Sequence, residues 1–207
     1  MTTRASWVGL GLLMCACGPA EVRVDETKGI PPVRGTTEVA LQRFTCGMPI
    51  TSGDVRVETK VVSDGCELSF SRDVPVLKAE DYTNIPDLRV ATALVQRVEL
   101  TVKLLRFTDG STMQALDLNA RVSSAQLSVN GQLVAEKATL TQLPRTVTLS
   151  GAALDQLKSR IDARQPASVQ TRVVVVLPSM PAPPQRLIVE YDTQPAIVLG
   201  ATTPSFF

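Results

Sequence analysis

The sequence predicts a mainly β protein, an antiparallel two-sheet β-sandwich with one short crossover helix. Three observations predict it. From Glu38 onward, short stretches alternate apolar and polar residues, the period-two signature of half-buried strands. Turn signals built from Gly, Pro, Asn and Asp punctuate them about every ten residues. One segment, residues 152–163, follows the helical period instead. Roughly eight to ten strands with a single helix favour two facing sheets.

Val39 and Leu41 open the first stretch, and Phe44 and Cys46 continue its alternation. Residues 49–54 read as a turn region. Val55, Val57, Thr59 and Val61 form the next strand, and Ser63-Asp64-Gly65 turns it back into Cys66, Leu68 and Phe70 as a hairpin. Pro75 and Pro86 interrupt the next segment, and residues 81–93 read either as a loop with a short helix or as an irregular edge strand. The clearest strand is 98–107, with Val98, Leu100, Val102 and Leu104 expected on one face. Thr108-Asp109-Gly110-Ser111 closes it, and Leu116 and Leu118 form a short arm. Residues 122–129 make another strand. Asn130-Gly131 is the best two-residue hairpin turn of the chain, with a return arm through Leu133 and Ala135.

Pro144 breaks the stretch 140–149 and places it at a bend or a sheet edge. Ser150 stands where a cap for helix 152–163 belongs, and Ala153, Leu154, Leu157 and Ile161 form its apolar stripe. Asp155 near its start and Arg160 and Arg164 near its end suit the helix dipole, and Pro166 stops it. Residues 173–177 are a continuous β-branched run, as in a central strand. Pro178, Pro181, Pro183 and Pro184 read as a stiff loop. Leu187, Val189 and Tyr191 then alternate, and Ile197 and Leu199 form a last strand.

The N-terminal region has a different character. Arg4 is its one positive charge, and residues 5–16 are uncharged. As a helix that run would span about 18 Å, too short for a bilayer core of roughly 30 Å, so it reads as a secretory h-region. It ends in Leu13-Met14-Cys15-Ala16-Cys17-Gly18, which resembles the lipobox of bacterial lipoproteins. In that pattern Cys17 is the acylated residue, because Ala16 precedes it and Met14 fills the apolar third position upstream. Cys15 fits less well, since Met14 would then occupy the small-residue position. The resemblance implies a signal peptide of residues 1–16 and acyl chains, palmitate among them, on Cys17. The membrane is then a partner through those chains. An ordinary cleaved leader ending near Ala16 or Ala20 is the alternative reading. Gly18 is not the aspartate that resembles an inner-membrane retention signal, which directs the expectation to the outer membrane of the cell envelope. Residues 17–37, with Gly29, Pro31, Pro32 and Gly35 and no apolar period, are expected to form the lipidated N-terminus and a flexible tether. Residues 38–207 are expected to form a single β-sandwich domain.

Composition narrows the chemistry. The chain has 21 Lys+Arg and 20 Asp+Glu, and loss of Arg4 with the leader makes the balance neutral. With no basic block, nucleic acid is not an expected partner. Cys46 and Cys66 remain as an even pair in an oxidising compartment, expected as a disulfide, with two independent free thiols as the alternative. Beyond the leader there is no Trp, so aromatic platforms for sugars or bases are scarce. The chain has no histidine, which removes Ser-His-Asp and Cys-His arrangements and every histidine metal site. None of its lysines has a serine three positions upstream, so the Ser-x-x-Lys arrangement is absent too. Only carboxylates remain as an acid–base pool: Asp25 and Glu26, Glu80 and Asp81, Asp155 and Asp162. Their spacing fits solvated surfaces better than a glycosidase pair or a calcium loop.

The expectation is therefore no catalytic residue, no cofactor and no metal. The domain resembles the small immunoglobulin-like sandwiches of envelope lipoproteins, a likeness of class that carries no function by itself. The anchor, the tether and a stapled sandwich without catalytic residues lead to the expectation of a non-catalytic envelope module, structural or binding another envelope protein. The alternative is a binding module for a small apolar ligand or lipid, held between the sheets or under the helix.

Overall fold

The computed structural model describes residues 21–41, 46–48, 50–52, 55–90, 95–179 and 184–200. Strands β1 (Glu21–Val24), β2 (Val33–Ala40), β3 (Ile50–Ser52), β4 (Val55–Val62) and β5 (Gly65–Leu77) come first. Short helices α1 (Asp81–Asn84) and α2 (Pro86–Val90) lead into β6 (Val95–Asp109) and β7 (Gln114–Ala115). Helix α3 (Leu118–Arg121), β8 (Ser124–Val129), β9 (Gln132–Glu136) and β10 (Arg145–Thr148) come next. Helix α4 (Gly151–Asp162), β11 (Ala167–Pro178) and β12 (Arg186–Gly200) complete the order.

These strands form two antiparallel sheets around one apolar cluster. In the first, β12 lies between β6 on one side and β2 and β1, end to end, on the other, with β10 and β7 beyond β6. The second runs β3-β4-β5-β11-β8-β9. Leu100, Leu187 and Ile197 from the first sheet and Val57 and Leu68 from the second are fully buried. Helix α4 joins β10 to β11, and so one sheet to the other, and packs against β6 and β11 through Leu157 and Ile161.

Several expectations hold at the turns. Ser63 and Asp64 link β4 to β5, with Val62 paired to Gly65. Gly65 has φ +152, and a Cβ there would lie 2.1 Å from the Leu177 carbonyl oxygen. Asn130 and Gly131 both have positive φ, as a primed two-residue hairpin between β8 and β9 requires. The run 173–177 lies in β11, central in its sheet, and β10, just after Pro144, is an edge strand.

Others are corrected. Of the tether expected over 17–37, residues 17–20 lie outside the described residues, and 21–24 and 33–37 belong to the sheet: β1 pairs with the end of β12, and β2 with its beginning. Both are edge strands with one solvated face, so they need few apolar residues, and Val24, Thr37 and Val39 supply the buried positions. Asp25 and Gly29 cap the 3-10 turn Glu26–Lys28 that separates them. The two expected final strands are one, β12. Pro195 is tolerated inside it because β1 ends opposite Ile197 and β2 begins only opposite Thr193, which leaves no strand on that side to need its missing N–H.

Leu104 is not on the face of Val98, Leu100 and Val102. Thr193 pairs with Val102 and Asp192 with Leu104, so Lys103 is an extra residue, a bulge that reverses the alternation. Leu105 and Phe107 turn inward and Leu104 is 39% exposed. The single expected helix is joined by three short ones. Residues 81–90 form α1 and α2, the helical one of the two readings of that segment, and Leu118 begins α3 instead of continuing an arm from Leu116. Ser150 makes no side-chain capping bond to α4. Cys46 sits in a turn and does not extend a strand.

Candidate functional site

Cys17 and the whole of 1–16 lie outside the described residues. The described chain nearest to them is β1, and its fastening is ionic. Arg97 donates from both terminal nitrogens to the Glu21 carboxylate, at 3.0 and 2.8 Å, and from Nε to Glu99 at 2.9 Å. Arg23 donates to the other Glu99 oxygen and pairs with Asp25 at 3.2 Å. Register explains the meeting. Arg23 and Arg97 flank Val198 of β12 from its two sides, so their side chains join over it. Val198 is accordingly 1% exposed although it lies on the outer face. Burial pushes the Glu99 carboxyl up, but hydrogen bonds from Arg23 and Arg97, and their charges, outweigh it and hold it below the usual range. The bond to Glu99 raises Arg23 in turn.

Cys46 and Cys66 are joined in a disulfide with a Cα–Cα distance of 5.8 Å. Thr59 reinforces the turn that carries Cys46: its hydroxyl accepts from Gly47 N at 2.9 Å and donates to the Met48 carbonyl at 2.6 Å.

Between the sheets lies an apolar cavity of about 50 Å³, lined by Val102, Leu105 and Val189 from one side and Val55, Phe70 and Val173 from the other. Arg72 stacks 4.5 Å above the Tyr191 ring at its edge. Tyr191 pairs with Gly35, and a Cβ on Gly35 would come within 1.9 Å of the phenolic oxygen, so glycine makes room for the ring. Ligand sites for small molecules run to about 300–1,000 Å³. Among the described residues, this cavity between the sheets therefore offers no room for a lipid-sized ligand.

A larger concavity of about 630 Å³ lies outside, along β6. Here β10 stops at Val102 and β7 starts at Thr108, so residues 104–107 of β6 have a strand partner only in β12, and Lys103 is the bulge that precedes them. Leu116, Leu118, Leu140 and Leu143 line its walls, with Lys103, Arg106 and Asp117 among them. Lys137 fixes one wall by donating to the Val122 carbonyl at 2.5 Å. Asp117 shapes the other by capping α3, accepting from Asn119 N at 2.9 Å.

The acid–base pool identified in the sequence is dispersed. Asp25 caps a turn, Glu26 pairs with Lys103 at 3.3 Å, and Glu80 lies 3.9 Å from Lys78. Asp81 accepts from Lys78 N at 2.7 Å, and Asp155 and Asp162 are exposed on α4. Further cross-strand pairs, Arg34–Asp192 and Arg186–Glu38 at 2.9 Å each, occupy the outer face of the first sheet. Among the described residues no three His, Cys, Asp or Glu converge as a metal site would require.

Sequence reading missed the ionic clamp and the groove. A signal for the clamp exists: Glu21-Val22-Arg23 and Arg97-Val98-Glu99 carry opposite charges in mirrored order. The groove has no such signal, because it arises where two neighbouring strands happen to end. In comparisons with protein-family models, curated proteins and solved structures, nothing matches this chain.

Proposed function

We propose that this chain is a lipid-anchored, non-catalytic module of the cell envelope, structural or protein-binding, acylated at Cys17 and addressed to the outer membrane. The observation that carries the reading is the 50 Å³ interior. With so small a cavity between the sheets among the described residues, we place the partner contact at the surface, in the groove along residues 103–107 of β6. The dispersal of the carboxylates into caps and ion pairs and the lack of histidine in the sequence support a non-catalytic role. The finer kinship to immunoglobulin-like sandwiches is part of the same proposal. It rests on two facing antiparallel sheets between which the chain passes repeatedly.

A photo-crosslinking residue at Leu104, in intact cells, tests the partner. The expected outcome is one discrete protein adduct, lost when Leu116 is changed to Glu. Recovery of no protein neighbour from that position would count against a protein-binding role. Mass spectrometry of the mature N-terminus tests the anchor, and a Cys17 without acyl mass would end the membrane assignment.

A further inference from the structure

The distance between the lipobox cysteine and the folded sheet is short. Only Gly18, Pro19 and Ala20 separate Cys17 from Glu21, the first residue of β1. Four Cα steps reach at most about 14 Å. β1 itself is not slack: it pairs in register with β12 from Glu21↔Gly200 to Val24↔Ile197, and the Arg23–Glu99–Arg97–Glu21 clamp closes over it. Resting on the reading of Cys17 as acylated, we propose that the β1 end of the first sheet is held against the phospholipid headgroup layer, with β6 and β12 rising from it.

That footing orients the rest of the molecule. β6 has 15 residues, so its far end stands about 45 Å from its near end. Residues 103–107 begin some 25 Å along it, which presents the groove away from the lipid. The disulfide belongs to the same far side: Cys66 pairs with Leu177 at one end of β11, whereas α4 enters β11 at the other. Glu21, Arg23, Arg97 and Glu99 neutralise one another at the footing, so its contact needs no anionic lipid. The anchor fixes where the domain stands as well as that it stays.

The test uses full-length acylated protein in phosphatidylethanolamine vesicles doped with a nickel-chelating lipid. Nitroxides are attached through a keto-bearing unnatural residue, which spares the disulfide, at Gln96 beside the footing or at Met113, 68% exposed at the far end. Relaxation at Gln96 several times that at Met113 is expected, unchanged when phosphatidylglycerol is added. A long Gly/Ser insert between Ala20 and Glu21 should abolish the difference. Weak and equal relaxation at both sites, with Cys17 shown by mass to be acylated, overturns this inference and leaves the anchored reading standing. An unmodified Cys17 overturns both.

Discussion

The corner at β1 and the corner at Cys46 each fasten a short edge segment of a sheet, one with ions and the other with a covalent bond. At β1, four charged side chains bridge over β12, with Arg23 and Arg97 about four-tenths exposed and only Glu99 well buried. Exposed ion pairs contribute about 0–1 kcal/mol each and weaken with salt. At Cys46, closing a 20-residue separation stabilises the fold by roughly 3 kcal/mol, largely by restricting the unfolded chain, and salt does not touch it. The difference teaches that the corner nearest Cys17 in the chain is the conditional one, responsive to pH and ionic strength, while the opposite corner responds to reductant.

Breaking the covalent corner should have the largest effect. Replacing Cys46 and Cys66 together by Ser is expected to lower the unfolding free energy by roughly 3 kcal/mol in urea titrations. A change within error would mean that the Thr59 hydrogen bonds alone hold the turn. Next comes Glu99→Gln, which leaves two arginines facing a neutral amide and should cost roughly 1.5–2 kcal/mol. If its loss equalled that of an exposed pair such as Arg34–Asp192, the clamp would be ordinary surface charge.

Acid sharpens the contrast. Because the folded-state Glu99 carboxyl lies below its unfolded value of 4.5, the unfolded chain binds the proton first as pH falls. The clamp's contribution is thus complete above that value and disappears as pH drops through the lower, folded one. Wild type should lose stability in that window more steeply than Glu99→Gln, and parallel curves would contradict the assignment. The same end of the molecule holds a neutral fastener. Tyr82 donates to the Gln165 carbonyl at 2.8 Å, and burial, with the charges of Asp81 and Asp162, pushes its phenol up to about 12. Its share of stability is present below the unfolded value of 10 and lost as pH rises through 12. Tyr82→Phe should cost about 1 kcal/mol at neutral pH and flatten that alkaline loss. The smallest effect is salt: high ionic strength should remove a few tenths of a kcal/mol from wild type and less from Glu99→Gln.

What was legible along the chain was whatever local chemistry enforces. Asn130-Gly131 adopts positive φ because few other residue pairs do so cheaply, and Ser63-Asp64-Gly65 reverses the chain for a similar reason. Val173 to Leu177 announce a central strand because both of their neighbours exclude water. The first two strands were illegible for the opposite reason. Edge strands with a solvated face tolerate Arg, Glu, Thr and Gly, so 21–24 and 33–37 have the composition of a linker and the hydrogen bonds of a sheet. Leu104 was misplaced because a bulge is decided by the partner strand and leaves no trace in the alternation itself.

By itself, then, the sequence determined the mainly β character, the turns at 63–65 and 130–131, the pairing of Cys46 with Cys66 and the absence of histidine chemistry, since each depends on residue type and near neighbours. Only the tertiary structure decided that 21–24 and 33–40 belong to the sheet, that Arg97 and Arg23 share Glu99, that the cavity between the sheets holds about 50 Å³ and that β6 has an open edge over 104–106. Those depend on residues up to 160 positions apart meeting across β12, and on where one strand stops beside another. Such distances are not encoded in any local window.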